Sequence, residues 1–424
     1  MKKLFSSFVY AFLCILTVLV GSFLLSIVLD GQTLSIVLKT AIYTVCGISL
    51  GLSLWLKQDK SFFLLLLTIL AYTLIEYFSN HRFDNNYYTL IAYPLMCFLF
   101  PVNIYLMTRV KQDDLFLHSF IRKVIVVFSQ IFLLYIITYL LPSLFGESIF
   151  KNFQYNLSNL LNHAFIGSRM LSMPQMGLFS FIVCFGLCLW TFRKKSTFLD
   201  TAFIGVFTTS FISFYFIYER NISTIFFLAA VTCVLFSLLQ ISHRMAFLDE
   251  LTNIPGRRAL TNALRQYERH PYTLSIMDID FFKRLNDSYG HEVGDQGLRM
   301  ISARLSQYAK SGHIYRYGGE EFVLLFPYKH LEEVLDEIEE TRALISNSDF
   351  FLRSRTRCDN ETENEKYPYL ASIKITLSAG VAEKVGSESS DFVLNMADQA
   401  LYKAKKTGRN KTVYYKNDKF YELY

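Results

Sequence analysis

The chain has 424 residues and is too long for one ordinary domain. Its 52% apolar and 16% aromatic residues exceed the content of a typical soluble protein, which excludes a wholly soluble, single-domain chain. The formal net charge is +6, but much of the basic excess lies in loops between apolar runs, so the charge does not indicate a nucleic-acid partner.

The first half of the chain consists of long apolar runs. Each is close to the ~20 residues that a helix needs to cross a bilayer. The pattern predicts an all-α transmembrane helical bundle of about eight spans. The first run is long and lacks a small-residue cleavage site, which disfavours a cleaved signal peptide. The runs lie at about 5–29, 33–56, 61–79, 87–108, 123–145, 176–192, 200–217 and 222–241.

Basic residues in the connecting loops indicate the orientation of this bundle. They concentrate on alternate connections, such as Lys2 and Lys3, Lys57 and Lys60, and the stretch 193–195. The positive-inside rule therefore places both termini in the cytoplasm, which requires an even number of spans. We predict a multi-pass protein surrounded by membrane lipid.

Two charged residues, Lys39 and Glu76, fall inside the apolar runs. Intramembrane charges are costly and suggest a paired or functional role. The alternative, which we favour, is that both lie near an interface and snorkel toward water. The cysteines have neither a disulfide framework nor a metal-ligand spacing.

The second half alternates predicted helices and strands. The last apolar run continues without proline or glycine to Glu250 and is expected to stop at 255–256. The mixed order predicts an α/β (α+β) domain, closer to a palm-like, ferredoxin-like sheet than to a doubly wound one. A polar stretch at 353–366 is not expected to be ordered throughout. Helices are predicted at 257–269, 281–308 with a break at 288–291, 331–345 and 391–406, and strands at 272–279, within the hairpin 315–327, at 373–382 and at 412–415.

These elements predict three parts: an integral membrane, sensory domain at 1–243, a short helical linker at 244–256, and a catalytic domain at 257–424. The linker is too short for a long coiled coil. Any pairing of two chains is therefore expected to begin in the membrane.

Three carboxylates suggest a metal site. Glu320 and Glu321 follow Gly318 and Gly319 in a turn between two apolar strands, where glycine permits a positive φ. Adjacent carboxylates repel each other unless a cation lies between them. Asp278 ends the preceding strand, and oxygen ligands of this kind suit Mg²⁺ rather than zinc. The alternative is a solvated acidic turn.

Five sequence blocks carry a family resemblance. In their order and spacing, the stretch from about Asp249 to Tyr415 resembles the GGDEF family, the diguanylate cyclases. The blocks are "DELTNIPGRRAL", "MDIDFFKRLNDSYGHEVGD", "RYGGEEF", "TLSAGVA" and "ADQALYKAKKTGRN".

The resemblance implies GTP as substrate, cyclic di-GMP and pyrophosphate as products, Mg²⁺ or Mn²⁺ as cofactor, a homodimer, and the bacterial inner membrane as location. By matching position, Asp278, the backbone carbonyl of Ile279 and Glu320 resemble the metal ligands, with Glu321 on a second ion. Glu320 is also the implied proton acceptor for the ribose hydroxyl.

The implied substrate contacts extend over two further blocks. Asn286 and Asp295 match the guanine-reading pair, and a carboxylate can accept from guanine N–H groups that adenine lacks. His291 matches a substrate-binding position, and Gly319 would leave space for the nucleotide. Phosphate contacts are matched by Lys283, which is also given a catalytic role, Lys405 and Arg409.

Lys405 and Arg409 lie four residues apart, hence on one helix face, and their alternative is an ordinary basic helix end. Residues 309–312 replace the Arg-x-x-Asp of the family's inhibitory product site, so no such site is predicted. Two other functions stay open: a catalytically silent GTP-binding domain, and a membrane half that acts as transporter or receptor. Neither the signal nor the downstream cyclic di-GMP effectors are identifiable.

Overall fold

The computed structural model describes residues 2–80, 87–109, 173–194, 199–217, 219–353 and 369–423, with isolated positions between 121 and 156. The chain divides into two compact units, Met1–Ser242 and His243–Tyr424.

The first unit is helical throughout its described elements. Five of its helical segments are long and apolar enough to cross a membrane: Ser6–Val28, Gly31–Trp55, Asp59–Tyr77, Gln175–Arg193 and Asn221–Phe247. The predicted run at 123–145 lies largely outside the described residues, so the count of about eight spans stays a prediction. The helices are α1 (Lys2–Val28), α2 (Gly31–Trp55), α3 (Asp59–Asn80), α4 (Tyr87–Arg109), α5 (Gln175–Lys194), α6 (Leu199–Tyr215) and α7 (Arg220–Phe247).

Helix α3 takes part in two ion pairs with other described residues of this unit. Lys39 of α2 contacts Glu76 of α3, so these two charges are paired, and their place near a membrane interface stays a prediction. Lys123 contacts Asp59 at the start of α3, and their side chains are only 3% and 1% exposed. The second pair is therefore closed to solvent.

The second unit contains helices and a mixed sheet. Its helices are α8 (Arg257–Gln266), α9 (Phe282–Tyr289), α10 (His291–Tyr308), α11 (Leu331–Ser346) and α12 (Ser390–Lys406). Its strands are β1 (Tyr272–Ile279), β2 (His313–Arg316), β3 (Glu321–Pro327), β4 (Asp349–Arg353), β5 (Tyr369–Lys374), β6 (Leu377–Lys384), β7 (Thr412–Lys416) and β8 (Lys419–Leu423).

The main sheet has the order β2-β3-β1-β6-β7-β8. The central strand β1 is buried along its whole length and runs antiparallel to both β3 and β6. Strand β7 pairs in parallel with β6 and antiparallel with β8. A mixed sheet with helices agrees with the predicted α/β (α+β) class.

The structure differs from the predicted elements in several details. Helix α8 ends at Gln266 rather than Arg269, and strand β4 was not predicted. The strand at 373–382 is two strands, because β5 pairs with β4 in a separate two-stranded sheet whereas β6 pairs with β1 in the main sheet. Strand β8 was not predicted, and it follows a turn in which Asn417 and Asp418 both have positive φ. Helix α7 ends at Phe247 rather than Glu250.

Two glycines shape the surroundings of the predicted site. Gly290 has φ +84° and separates α9 from α10, which confirms the predicted break. Gly380 on β6 permits a close approach of α12, because a Cβ there would lie 2.1 Å from the Ala397 oxygen and 2.2 Å from the Leu401 nitrogen. Helix α12 therefore packs backbone against backbone on the sheet.

Candidate active site

The end of β1 lies beside the acidic turn. Asp278 is the cross-strand partner of Glu321, the first residue of β3. The Ile279 N–H donates to the Glu320 carbonyl at 3.4 Å. The pairing of β1 with β3 thus places Asp278 beside the acidic turn that carries Glu320 and Glu321.

These carboxylates share an unfavourable electrostatic environment. Burial raises the pKa of Asp278, against the opposing hydrogen bond and charge of Lys405. Burial is also the main cause that raises the pKa values of Glu320 and Glu321, and the negative charge of Asp278 adds to both. A nearby cation would relieve this repulsion.

Basic residues at the end of α12 reach the same site. Lys405 Nζ lies 2.8 Å from Asp278 Oδ1. Arg409, in the following loop, also lowers the pKa of Asp278 through its charge, although burial and Lys405 act more strongly. The Arg409 guanidinium lies 4.4 Å from the centre of the Phe281 ring. Strand β1, the turn and the end of α12 therefore meet at one place.

The donor set fits a hard divalent cation. All three candidate side chains offer carboxylate oxygens, which are the ligands that Mg²⁺ and Mn²⁺ prefer. Within the described part of the chain, no three acidic, histidine or cysteine side chains already surround a metal position. Asp278 is instead paired with the Lys405 ammonium, which supplies positive charge at this carboxylate.

The acidic turn is closed by an arginine. Neither Gly318 nor Gly319 has a positive φ, so that expectation was wrong. Arg316 Nη2 donates to the Gly319 carbonyl at 2.7 Å, and Nη1 donates to Asp249 Oδ1 at 2.7 Å. A Cβ on Gly319 would meet nothing within 4 Å, so the turn borders open space.

Asp249 ties the segment after α7 to this turn. Burial opposes its ionisation, but hydrogen bonds from Thr252 and Arg316 lower its pKa. Arg316 N–H also donates to the Pro255 carbonyl at 2.8 Å. No local sequence pattern indicates this contact, because its partners are far apart in the chain.

The predicted guanine-reading residues lie on α9 and α10. Asn286 Oδ1 packs against Gly294, where a Cβ would lie 1.9 Å away, so Asn286 is brought next to the segment that carries Asp295. This buried oxygen has no hydrogen-bond partner among the described residues. It is an acceptor available to a ligand N–H.

Lys283 and His291 are exposed on α9 and at the start of α10. Among the described residues, neither contacts the three carboxylates. Their roles stay predictions.

Asp280 was missed by the sequence analysis. It is 8% exposed, and its carboxylate accepts from Thr376, Ser378 and Asn410. The available signal was its position, since a second aspartate directly after a buried strand requires hydrogen-bond partners.

Residues 246–411 match the family model described as "Diguanylate cyclase, GGDEF domain". DgcP, a diguanylate cyclase of Pseudomonas aeruginosa, is 36% identical over 180 residues, which cover 41% of this chain and 24% of DgcP. YhcK of Bacillus subtilis is 30% identical over 278 residues, covering 58% of this chain and 73% of YhcK. This chain thus spans about a quarter of DgcP and about three quarters of YhcK.

The solved coiled coil and GGDEF domain of DgcB from Caulobacter crescentus, in complex with c-di-GMP, is 32% identical to this chain. The match covers 43% of this chain and 92% of the solved chain, with a TM-score of 0.37.

Proposed function

The chain belongs to the GGDEF family of diguanylate cyclases, and from this premise we propose that it is a membrane-bound enzyme that condenses two GTP molecules into cyclic di-GMP and two pyrophosphates. The observation that carries the proposal is the meeting of Asp278, Glu320 and Glu321, whose pKa values are raised, with Lys405. An acidic site flanked by basic side chains suits a triphosphate bound with its metal ions.

The acidic residues hold the cofactor and accept the proton. Asp278, the Ile279 carbonyl and Glu320 would hold a first Mg²⁺ or Mn²⁺, and Glu321 would bind a second. Such ions, when bound, supply positive charge to the attacking and leaving oxygens. Glu320 accepts the proton of the ribose hydroxyl.

The basic residues bind the triphosphate. Lys405 is 31% exposed, so its ammonium can exchange Asp278 for a phosphate oxygen. Arg409 binds beside it, since a guanidinium can form two parallel hydrogen bonds to phosphate. Lys283 is a further phosphate contact.

The guanine base is read on α9 and α10. The unpartnered Asn286 oxygen and the Asp295 carboxylate accept from guanine N–H groups. His291 contacts the substrate from the start of α10. The open space beside Gly319 receives the nucleotide.

Each catalytic domain holds one GTP, so the reaction requires two domains facing each other in a symmetric homodimer. The proposed catalytic domain, at 257–424, is a ferredoxin-like palm, and residues 244–256 link it to a sensory membrane domain at 1–243. That domain has about eight spans in the bacterial inner membrane, with both termini cytoplasmic. Five apolar helices among the described residues support a membrane location, and the loop charges support the orientation.

The test uses full-length protein in lipid nanodiscs with GTP and Mg²⁺ or Mn²⁺, and product separated by chromatography. Wild type is expected to form cyclic di-GMP, and Glu320→Gln to lower the rate about 100-fold or more, because it removes a ligand and the proton acceptor. Glu337→Gln is the matched control, since this carboxylate accepts from the Ser311 N–H at 2.8 Å and not from the site.

A wild-type protein that binds GTP but forms no cyclic dinucleotide with either metal would favour the silent GTP-binding domain. Equal rates for Glu320→Gln and wild type would rule out the proposed mechanism.

A further inference from the structure

We propose that Asp280 is a positioning residue that fixes the phosphate-binding arginine, Arg409. The inference rests on the proposed function, in which Arg409 binds phosphate. Asp280 lies directly after β1 and is 8% exposed. Its carboxylate bonds the loop after α12, whereas Asp278, two residues earlier, faces the acidic turn.

Both oxygens of the Asp280 carboxylate accept hydrogen bonds from neutral donors. Oδ1 accepts from Ser378 Oγ at 2.7 Å, and Oδ2 accepts from Thr376 Oγ1 at 2.7 Å and from the Asn410 N–H at 3.0 Å. The Asn410 N–H also reaches Ser378 Oγ at 3.2 Å. This carboxylate is therefore an anchor for backbone and hydroxyl groups rather than a ligand of the metal site.

The anchored loop has an unfavourable backbone. Gly408, Arg409 and Asn410 have φ values of +122°, +61° and +48°. Left-handed conformations at non-glycine residues persist only where the surroundings impose them. The Arg409 N–H donates to the Ala404 carbonyl at 2.9 Å, and the next N–H donates to Asp280. Asp280 thus supplies the contact that holds the loop immediately after Arg409.

Asp280 also neighbours the aromatic ring on which Arg409 rests. Phe281 has φ +58°, is 60% exposed, and lies 4.4 Å from the Arg409 guanidinium carbon. A cation–π contact of this kind orients the guanidinium. The residue that anchors the loop therefore also places the ring beneath the side chain.

The far side of the loop is held by a second buried group. The Asn410 side-chain oxygen accepts from Arg342, which is 7% exposed and paired with Glu339. Asn410 is thus fixed through its backbone by Asp280 and through its side chain by Arg342. Loss of Asp280 releases the part of the loop nearest to Arg409.

The first test compares Asp280→Ala with Asp280→Asn in the full-length protein. Asp280→Ala is expected to raise the KM for GTP about tenfold to a hundredfold, with a smaller change in kcat. Asp280→Asn is expected to stay within about threefold of wild type, because its amide oxygen can accept from the Asn410 N–H while its NH₂ donates to Ser378. An asparagine variant as impaired as the alanine variant overturns the proposal.

The second test is a double-mutant cycle with Arg409→Ala. If Asp280 acts through Arg409, the double variant is expected to have the KM of Arg409→Ala alone. If instead the KM increases of the two single variants multiply in the double variant, the proposal is overturned. Ser378→Ala removes the hydrogen bond to Asp280 Oδ1 and the second acceptor of the Asn410 N–H, and it serves if Asp280→Ala does not fold. It is expected to raise the KM about threefold, and an unchanged KM overturns the proposal.

Equilibrium binding separates this inference from the proposed reaction. Asp280→Ala is expected to lose affinity for a non-hydrolysable GTP analogue about tenfold or more, and to keep its affinity for guanosine. If this binding result is found and the wild type forms no cyclic product, the proposed reaction is refuted but the positioning role is supported. Cyclic product from wild type, with unchanged analogue binding in Asp280→Ala, refutes the positioning role alone.

Discussion

Each unit of the chain contains a lysine paired with an aspartate, and the two pairs differ in their access to solvent. In the first unit, Lys123 and Asp59 are 3% and 1% exposed. In the second, Lys405 is 31% exposed and Asp278 is 6% exposed. The closed pair cannot exchange partners without leaving a buried charge uncompensated, whereas the open pair leaves the ammonium accessible. The first is suited to structure and the second to ligand exchange.

Breaking the closed pair should have the largest effect on stability. Asp59→Ala leaves the Lys123 charge buried and is expected to lower the free energy of unfolding by about 3–5 kcal/mol. The double variant Asp59→Leu with Lys123→Met should recover most of this loss, because an apolar pair needs no compensation. Thermal unfolding in detergent, with size-exclusion chromatography to monitor aggregation, measures the stability of the single and the double variant. Equal stability of the single and double variants would contradict a structural ion pair.

Breaking the open pair should affect function more than stability. In Mg²⁺, Lys405→Met is expected to lower kcat/KM for GTP about 100-fold, or about 2.7 kcal/mol, through loss of a charged phosphate contact. Its melting temperature should stay close to wild type, because the divalent ion replaces the charge at Asp278. Steady-state kinetics and thermal unfolding are the measurements. A large Mg²⁺-insensitive loss of stability would make this pair structural as well.

Divalent ions alone should stabilise the open site. At neutral pH, Mg²⁺ at ten times its Kd is expected to add about 1.4 kcal/mol, because it binds the ionised carboxylates of the folded chain. The gain should vanish as the pH falls through the raised pKa values of these groups, which lie above 3.8 for Asp278 and above 4.5 for Glu320 and Glu321.

The direction in which stability changes with pH follows from the difference in proton binding between the folded and unfolded states. Raised carboxyl pKa values mean that, without metal, protonation favours the folded state, and that this stability is lost as pH rises through the folded pKa values. Thermal unfolding with MgCl₂ across this pH range tests the prediction, with Asp278→Asn as control. An equal Mg²⁺ shift in the control would place the ion elsewhere.

The exposed pair of His330 and Glu383 should contribute the least to stability. His330 Nδ1 lies 2.6 Å from Glu383 Oε1, and this contact raises the pKa of His330. Its stabilisation should be complete below the unfolded value of 6.5 and lost as pH rises through the higher folded pKa. Glu383→Gln is expected to flatten this small dependence of the unfolding midpoint on pH. An unchanged slope would show that the pair contributes nothing measurable.

Local patterns predicted much of the second unit. Strand β1 has the predicted bounds because its apolar run is buried on both faces, and Gly290 divides α9 from α10 where the sequence indicated a break. The convergence of Asp278 with the acidic turn also followed from its place at a strand end. Strand β8 had a usable signal, since Asn417 and Asp418 tolerate the left-handed turn that they form.

Contacts between distant residues could not be predicted in this way. The strand at 373–382 is divided because its first residues pair with β4 in a separate sheet, whereas its later residues pair with β1, which lies far earlier in the chain. The acidic turn is closed by Arg316, and the pairing of that residue with Asp249 depends on the folded backbone. Periodicity and turn residues describe neighbours along the chain, whereas these side chains meet only after the sheet has formed.

Because Gly380 has no side chain, it determines where the basic residues at the end of α12 lie relative to Asp278. The helix and β6 touch through main-chain atoms, so a single added methyl group would have to lift the helix off the sheet. Lys405 and the loop of Arg409 would move with it, away from Asp278. The spacing between the basic end of α12 and the acidic turn of the proposed active site is thus set by one absent carbon atom.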